Sequence, residues 1–265
     1  MAAGEQVVLV DGKGRHYLVT LVPGAQFHTH TGFFEHDELV GGEEGTTVRS
    51  TTGARYTVLR PTLADYVLRM PRGAQVIYPK DLGPILVLAD IFPGARVLEA
   101  GVGSGACSLA LVRAGAEVVG YEIRPDFAER ARANVAAFLG DVAALRYRVE
   151  VRDVYEGVDE QGLDRIVLDL PEPWQVVKHA EEALRRGGIL LAYTPSITQA
   201  VQLRETLATS DFELAETIEV LHRSWHVEGQ SVRPDHRMVA HTGFLTSARL
   251  LGPIAGGLKA AKVPR

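Results

Sequence analysis

The stretch VLEAGVGSGA, residues 97–106, constrains the fold of this chain more than any other segment. A strand predicted over residues 96–99 ends in Glu99, and a glycine loop with Gly101, Gly103 and Gly105 follows it. Glycines let the backbone turn sharply after a strand and pass close to a ligand. A helical pattern over residues 106–114 comes next, so the segment predicts a strand, a ligand-binding loop and a helix in succession.

The same alternation of strand and helix continues to residue 208 and predicts an α/β fold. The sheet is expected to be mostly parallel, Rossmann-like and covered by helices on both faces. Two later apolar runs, at 214–221 and 238–250, are predicted to form an antiparallel hairpin at the edge of that sheet. The remaining strands are predicted over residues 117–121, 147–151, 165–169 and 189–193, and the remaining helices over 125–139, 175–184 and 197–208.

The first 60 residues have a different pattern, with short alternating runs separated by the turn sequences DGKG, PG, GG and TTG. They predict a small antiparallel β domain over residues 1–60. A helical segment follows, which Pro71, Gly73 and Pro79 are expected to end. The main domain is predicted over residues 61–252, and residues 253–265 are predicted to be a loose tail.

Composition and charge exclude several classes of protein. Hydrophobic residues make up 46% of the 265 residues, and no stretch approaches the roughly 18 apolar residues of a membrane span. The N-terminal segment lacks signal-peptide features, and one cysteine excludes an intramolecular disulfide or a cysteine-based zinc cluster. The net charge of −5 argues against non-specific coating of nucleic acid but allows a local basic patch. We therefore expect a soluble, cytoplasmic protein.

Acidic residues follow three predicted strands at the edge of the sheet where a ligand binds. A carboxylate at Glu99 suits a ligand with a cationic amino or sulfonium group and would repel a pyrophosphate. Glu122, after the second strand, suits ribose hydroxyls, and Asp153, after the third, suits an adenine amino group. An adenosyl ligand with a cationic end fits all three. The glycines with Ala106 also satisfy the loose dinucleotide pattern, so a nicotinamide cofactor stays open.

Asp169 ends a further predicted strand and is followed by LPEPW, residues 170–174. Pro171 and Pro173 fix φ and remove two backbone donors, so the loop is predicted not to fold over Asp169 as additional helix. Two roles are open for Trp174, lining the pocket or covering the top of the helix that follows, and we predict the covering role. The pattern indicates a carboxylate that is held in place at the ligand-binding edge.

One histidine cluster and three basic clusters are weighed as further sites. The alternate spacing of His28 and His30, near His36 and Asp37, suggests a metal site, but no cysteine supports it and we predict no metal. The basic clusters are interpreted as phosphate contacts, with a solvated or subunit-contact surface as the alternative. They comprise Arg69, Arg72 and Lys80; Arg223, His226, Arg233, His236 and Arg237; and Lys259, Lys262 and Arg265.

Seven motifs together resemble the class I S-adenosylmethionine-dependent methyltransferases and, more specifically, the bacterial and archaeal tRNA (adenine-58-N1)-methyltransferases. No single motif is decisive, but the set in this order is highly specific and spans nearly the whole chain. The motifs are FHTHTG (27–32), RPTLADY (60–66), IYPKD (77–81), LEAGVGSG (98–105), LDLPEPW (168–174), YTPSITQ (193–199) and HTGFL (241–245).

The resemblance implies methyl transfer from S-adenosylmethionine to N1 of an adenine in the T-loop of tRNA, by a homotetramer. It implies that Asp169 is the catalytic carboxylate and that Tyr78 and Tyr193 line the target-base pocket. Glu122 would take the ribose of the cofactor and Asp153 its adenine end. The methionine part would be cradled by Glu99, Gly101, Gly103, Ser104 and Gly105.

The chain departs from the family pattern in two places. Leu82-Gly83-Pro84 replaces the small residues and glutamine that commonly follow Tyr-Pro-Lys-Asp, which argues against a cofactor contact there. Pro171 stands where a Met or Leu is often seen nearby and is expected to stiffen the loop. DLPEPW also lacks the Pro-Pro-aromatic motif of N6-directed adenine methyltransferases, which favours N1 as the target atom.

Three alternatives remain open from the sequence. They are a methyltransferase of the same fold that acts on a small molecule, a nicotinamide-dependent oxidoreductase, and an inactive RNA-binding subunit on a methyltransferase fold. Asp169 and the intact glycine loop argue against the inactive subunit.

Overall fold

The computed structural model describes residues 1–73, 75–140 and 145–252, so the predicted tail at 253–265 lies outside it, with Lys259, Lys262 and Arg265. The first part of the chain is an antiparallel β structure, as the alternating pattern predicts. Its strands are β1 (Gln6–Asp11), β2 (His16–Thr20), β3 (Gln26–Thr29), β4 (Gly32–Glu35), β5 (Thr47–Arg49) and β6 (Arg55–Leu59). Four of them form a sheet in the order β2-β1-β6-β5, and β3 pairs with β4.

This small sheet has an apolar core of its own. Alternate residues point to one face of a strand, so Val7 and Leu9 of β1 are both buried. Phe27 lies with its ring centroid 5.4 Å from that of Phe34 and 5.8 Å from that of Tyr56.

The residue boundaries predicted for the domains, at 60 and 252, stay predictions.

Two helices lead from the small sheet toward the large one. Helix α1 (Leu63–Arg69) starts at a capping box formed by Thr62 and Asp65. Helix α2 (Pro79–Leu88) starts at Pro79, because a missing backbone donor costs little in the first turn of a helix. The predicted break after α1 is present, but Pro79 begins a second helix that the sequence pattern did not predict.

The second part of the chain is a large sheet with helices on its faces. The strands are β7 (Arg96–Ala100), β8 (Glu117–Glu122), β9 (Tyr147–Val151), β10 (Leu163–Asp169), β11 (Leu184–Thr194), β12 (Phe212–Glu219) and β15 (Phe244–Leu250). The helices are α3 (Ala106–Arg113), α4 (Pro125–Leu139), α5 (Val177–Ala183) and α6 (Ile197–Ala208). A separate hairpin, β13 (Trp225–Glu228) and β14 (Ser231–Pro234), precedes β15.

The seven strands lie in the order β12-β15-β11-β10-β7-β8-β9. Neighbours from β11 to β9 are parallel, whereas β15 is antiparallel to both β11 and β12. The central strands are apolar on both faces, as Ile166, Val167 and Leu168 of β10 illustrate, because helices cover both sides. The carboxyl ends of the parallel strands therefore meet at one edge and bring Glu99, Glu122 and Asp169 together.

The predicted edge hairpin is only partly present. The two strands β12 and β15 do pair antiparallel. However, β15 lies between β11 and β12, so of these two strands only β12 is at the edge of the sheet. The second predicted run, 238–250, is a strand only from Phe244 onward. Burial explains the position of β15, since Leu245, Ala248 and Leu250 are hidden inside the sheet. Within the described residues, no helix is both long and apolar enough to cross a membrane.

Candidate active site

The site starts from Gly101, at the point where β7 meets the end of β10. Its φ is +82°, and a Cβ atom there would lie 2.0 Å from the carbonyl oxygen of Asp169. Any side chain at this position would have to push the two strand ends apart. Gly105, also with positive φ, lets α3 start close to Ala131 of α4. The glycine loop is therefore required by packing as well as by the backbone turn.

Glu99 is buried beneath this loop and is 2% exposed. The hydroxyl of Ser108 donates to its Oε2 at 2.5 Å, and the hydroxyl of Tyr147 donates to the Oγ of Ser108 at 2.9 Å. Burial raises the pKa of Glu99 to about 8, with the negative charges of Asp169 and Glu122 adding to the effect. A cation placed beside Glu99 would favour its charged form.

Glu122 closes the other side of the loop. Its Oε2 accepts from the backbone N–H of Gly103 at 2.9 Å, and its Oε1 accepts from the N–H of Arg124 at 3.0 Å. Both oxygens keep a further lone pair, so the carboxylate can also accept from ribose hydroxyls. Asp153 lies in the loop after β9, where its Oδ1 accepts from the N–H of Tyr155 at 2.9 Å and caps a short turn. Its predicted contact with adenine stays a prediction.

Asp169 differs from the other acids of the site. Among the residues that the structure describes, no donor lies within hydrogen-bond distance of its carboxylate, and the side chain stays partly exposed. Burial of the carboxyl group, with a smaller contribution from the charge of Glu122, raises the pKa of Asp169 to about 7. The group is therefore poised to exchange a proton near neutral pH.

Both predicted pocket tyrosines lie on the Asp169 side. Tyr193 is the register partner of Asp169 across β10 and β11, and its hydroxyl donates to the carbonyl oxygen of Thr242 at 2.6 Å. Burial raises the pKa of Tyr193 to about 12. The charges of Asp81 and Asp169 and the hydroxyl of Tyr78 contribute to this increase. Tyr78 immediately precedes α2 as its N-cap residue. The structure thus places Tyr193 beside Asp169 and Tyr78 within electrostatic range of Tyr193, and their role as a base pocket stays a prediction.

A narrow cavity lies between Asp169 and the glycine loop, and neither Tyr78 nor Tyr193 is among its lining residues. One of its walls is the segment 75–77, of which only Ile77 belongs to a motif named from the sequence, and Leu82, Gly83 and Pro84 are absent from its lining. The residues present fit S-adenosylmethionine, because a buried acid lies under a glycine loop in which a Cβ atom at Gly101 would clash with the backbone of Asp169. The cavity is lined by Gln75, Val76, Ile77, Glu99, Gly101, Val102, Gly103, Ser104, Ala106, Cys107 and Asp169.

The loop after Asp169 is held away from the carboxylate. The side chain of Gln199 donates to the carbonyl oxygen of Pro171 at 2.8 Å, and the N–H of Glu172 donates to the hydroxyl of Tyr155 at 3.2 Å. Pro173 starts a short turn that leads into α5. Trp174 packs against the apolar cluster beneath α5, as predicted.

Comparison with protein families gives two matches. The family described as tRNA methyltransferase complex GCD14 subunit matches residues 55–236, and the TrmI-like N-terminal family matches residues 1–48. A tRNA (adenine(58)-N(1))-methyltransferase TrmI from Thermus thermophilus is 40% identical over 252 residues, which cover 94% of this chain and 98% of the relative. The chain belongs to this tRNA methyltransferase family.

Two solved structures extend the comparison. An S-adenosylmethionine-dependent O-methyltransferase from Thermotoga maritima matches with a TM-score of 0.90 and 32% identity over 95% of both chains. The tRNA (m1A58) methyltransferase TrmI from Aquifex aeolicus matches with a TM-score of 0.84 and 28% identity over 95% of this chain and 99% of the other. The class I methyltransferase fold is confirmed, and the nicotinamide alternative has no support from these matches.

In this methyltransferase, the structure bears on two predictions made for polar residues, the phosphate contact at Lys80 and the histidine cluster. Lys80 is not an exposed phosphate contact: its side chain is 4% exposed and its Nζ lies 2.8 Å from Oδ1 of Asp81. Lys80 is the second residue of α2, and its side chain is buried because α2 packs against the large sheet. The described residues contain no group of histidines, cysteines and acids that is arranged to hold a metal. His36 is buried and accepts from the N–H of Val22.

Several residues of the methyltransferase site were missed by sequence reasoning. Ser108 and Tyr147 support Glu99, and Asp81 and Thr242 support Tyr193. The IYPKD and HTGFL motifs contain Asp81 and Thr242, so the signal was present, but their contact spans 161 positions. Tyr147 lies in a strand with an ordinary alternating pattern, and its sequence carries no such signal.

Proposed function

We propose that this chain transfers a methyl group from S-adenosylmethionine to N1 of adenine 58 in the T-loop of tRNA. The observation that carries the proposal is the carboxylate of Asp169, which lies beside the glycine loop, partly exposed and without a donor among the described residues. Membership of the tRNA methyltransferase family and 40% identity to an enzyme of this specificity support the choice of substrate.

The chemistry of adenine N1 explains the need for one carboxylate. The N1 lone pair can attack an electrophilic methyl group directly, and the product carries a positive charge shared with the N6 amino group. An acceptor at N6 stabilises that charge and can take the proton. Asp169 is proposed for this role, since a pKa of about 7 leaves it largely charged at slightly alkaline pH and still basic enough to hold a proton.

The cofactor side is proposed to bind and orient. S-adenosylmethionine supplies the electrophilic methyl group when it is bound. Glu99 would hold the cationic methionine end, together with the backbone of the glycine loop and Ser104. Glu122 would accept from the ribose hydroxyls and Asp153 from the adenine. Burial disfavours the charged form of Glu99, and a cation beside it would add to the hydrogen bond from Ser108 in stabilising that form.

The adenine has to leave its stack to reach Asp169, and aromatic side chains are suited to hold it there. Tyr78 and Tyr193 are proposed as the walls of this base pocket. Tyr193 is next to Asp169 in the sheet, and Tyr78 approaches from the start of α2. Such a pocket excludes water and aligns the base with the methyl donor.

A second candidate is favoured by one observation. The Thermotoga structure with the highest TM-score among those compared is described as an O-methyltransferase, which would place a hydroxyl group in the acceptor position. A small-molecule acceptor would leave the TrmI-like N-terminal segment at residues 1–48 without a role in substrate binding. The tRNA proposal uses the whole chain and is therefore preferred.

The test uses unmodified tRNA transcripts incubated with protein and S-adenosylmethionine, followed by nucleoside analysis. We expect 1-methyladenosine from a transcript with adenine 58 and little from a matched transcript with uridine at that position. Calorimetry first establishes that the protein binds S-adenosylmethionine and not NAD. A protein that binds the cofactor but forms no 1-methyladenosine contradicts the proposal, and methylation of hydroxyl compounds in a metabolite extract would favour the second candidate.

We also propose that the protein acts as a homotetramer in the cytoplasm. Exposed apolar side chains support self-association: Ile197 and Val201 on α6 are 52% and 49% exposed, and Trp225 on the hairpin is 57% exposed. Association would also pool the exposed arginines of several chains on a molecule with net negative charge. Light scattering should give about four times the 28.7 kDa of one chain, whereas a monomer would contradict the proposal.

A further inference from the structure

Lys80 and Asp81 form a buried ion pair that the proposed reaction does not use directly. The Nζ of Lys80 lies 2.8 Å from Oδ1 of Asp81, and the two side chains are 4% and 0% exposed. Removing two charges from water is costly, and such pairs are weak evidence for stability alone. The pair lies in the first turn of α2, directly after Tyr78.

The pair contacts both ends of one excursion of the chain. Residues 221–241, here called the arm, leave the sheet after β12 and return just before β15. Lys80 donates to the carbonyl oxygen of Val220 at 2.6 Å, immediately before the arm. The hydroxyl of Thr242 donates to Oδ2 of Asp81 at 2.7 Å, immediately after it. One charged pair on α2 thus fixes the point where the arm begins and the point where it ends.

The same contacts continue to the base pocket. The carbonyl oxygen of Thr242 accepts from the hydroxyl of Tyr193 at 2.6 Å. Gly243 packs against the same ring, since a Cβ atom there would lie 2.5 Å from it. Tyr193 is in turn the register partner of Asp169. A continuous series of contacts therefore runs from Asp81 through Thr242 and Tyr193 to the strand end that carries Asp169.

We propose that Lys80 and Asp81 are positioning residues that set the two aromatic walls of the base pocket. They hold Tyr193 through Thr242, and they hold Tyr78 because it is the N-cap residue of the helix in which they lie. This inference rests on the proposed function. Loss of the positioning would let either ring turn away from the adenine, so the alignment of base and methyl donor would fail while the cofactor side stays intact.

The cleanest test is Thr242→Val, which removes the hydroxyl that binds Asp81 and keeps the size of the side chain. Thr242→Ser keeps the hydroxyl and serves as the conservative rescue. Thr246→Val is the control, because Thr246 is a buried threonine of the adjoining β15 whose hydroxyl contacts that of Thr217, at 2.9 Å, instead of the pocket. Each variant is compared with the wild-type chain for turnover of tRNA, tRNA KM, cofactor affinity and melting temperature.

We expect Thr242→Val to lower kcat for tRNA about tenfold, the effect of one lost hydrogen bond to a charged group. Cofactor affinity by calorimetry should stay at the wild-type level, Thr242→Ser should restore kcat, and Thr246→Val should keep it. Rates are normalised to the cofactor-binding sites found by calorimetry, so partial unfolding does not count as lost turnover. An unchanged kcat in Thr242→Val, or an equal loss in Thr246→Val, overturns the inference.

A second variant tests the same inference by changing the ion pair itself, with a substitution chosen so that the protein still folds. Asp81→Asn alone leaves Lys80 charged and buried, whereas the double change Lys80→Met with Asp81→Leu removes both charges and is better tolerated. We expect the double variant to bind cofactor normally and to lose kcat for tRNA about tenfold, as in Thr242→Val. Wild-type turnover of the double variant overturns the inference. If the wild-type chain itself makes no 1-methyladenosine, the proposed function has failed first, which keeps the two failures distinguishable.

Discussion

On the proposed cofactor side of the pocket, Glu99 and Glu122 accept hydrogen bonds from residues 2 to 19 positions away in sequence, whereas Asp169 on the other side accepts none within the described residues. Glu99 is bound by Ser108 nine positions away, and Glu122 by Arg124 two positions away. The Asp169 side is assembled from remote segments, since the contact between Asp81 and Thr242 spans 161 positions.

This difference in hydrogen bonding between the acids indicates two separate tasks, binding on one side of the pocket and proton exchange on the other. An acid whose hydrogen bonds are already made inside the protein is fixed in place, so it can serve as a preformed binding group. An acid without a partner keeps its lone pairs for the substrate, and its raised pKa suits a group that exchanges a proton. We therefore expect changes on the Glu99 side to affect mainly cofactor affinity, and changes on the Asp169 side to affect mainly turnover.

The largest expected effect comes from Asp169→Asn, which keeps the shape of the side chain and removes its charge. We expect kcat for tRNA to fall on the order of 10³-fold, the range found when an acid–base group is lost. Cofactor affinity measured by calorimetry should change little. A variant that retains turnover, or one that loses cofactor binding instead, would show that the two sides of the pocket are not separated in this way.

The second largest expected effect is the change in activity of the wild-type enzyme with pH. In the proposed mechanism Asp169 has to be charged to take the proton from N6, and its pKa is raised to about 7, so activity should rise with pH and level off above that value. Below about pH 7, kcat/KM for tRNA should fall roughly tenfold for each pH unit as Asp169 takes up a proton. The residual activity of Asp169→Asn should lack this inflection, and an inflection that persists there would assign it to another group.

Glu99→Gln tests the cofactor side. We expect affinity for S-adenosylmethionine to fall roughly 10- to 100-fold, because a hydrogen bond to a charged group is lost beneath the glycine loop. Binding to the wild-type chain near pH 7 should also release a proton, since the pKa of Glu99 is about 8 and a nearby cation lowers it. Calorimetry in buffers of different ionisation enthalpy measures this release. Its persistence in Glu99→Gln would rule out Glu99 as the source.

The same substitution should change the dependence of stability on pH. A carboxyl group whose pKa is raised on folding binds more protons in the folded state than in the unfolded state between about pH 4.5 and 8, so stability falls as pH rises through that window. Glu99→Gln should reduce this fall, and the part that Asp169 contributes through its own raised pKa should remain. Urea unfolding at pH 5 and at pH 8 gives the comparison, and an equal decline in the variant would contradict the assignment.

Tyr147→Phe is the mildest test of the comparison. Its hydroxyl reaches Glu99 only through Ser108, so we expect affinity for the cofactor to fall about threefold, less than the full value of a hydrogen bond. Turnover at saturating cofactor should be unchanged. Tyr56→Phe is the matched control, because it removes a buried hydroxyl that binds Thr29 and Thr31 in the small sheet. An equal loss of affinity in both variants would indicate a general effect on stability.

Sequence patterns predicted the local parts of this molecule well. The helices Pro125–Leu139 and Ile197–Ala208 and the strand Tyr147–Val151 have the bounds expected from their periodicity. The glycine loop was identified because glycine has conformations that other residues lack, and at Gly101 the structure uses that freedom. Helix α2 was missed, since Pro79 and Leu82-Gly83-Pro84 look like breaks unless the packing of the helix is known.

The chain by itself determined the α/β class, the order of its elements and the acids at the strand ends, because hydrophobic period and turn residues act over a few neighbouring positions. Only the tertiary structure decided that β15 inserts beside β11, that Tyr147 supports Glu99 and that Lys80 turns inward to Asp81. Those contacts join segments far apart in sequence. Their free energy depends on burial and geometry, which no local pattern specifies.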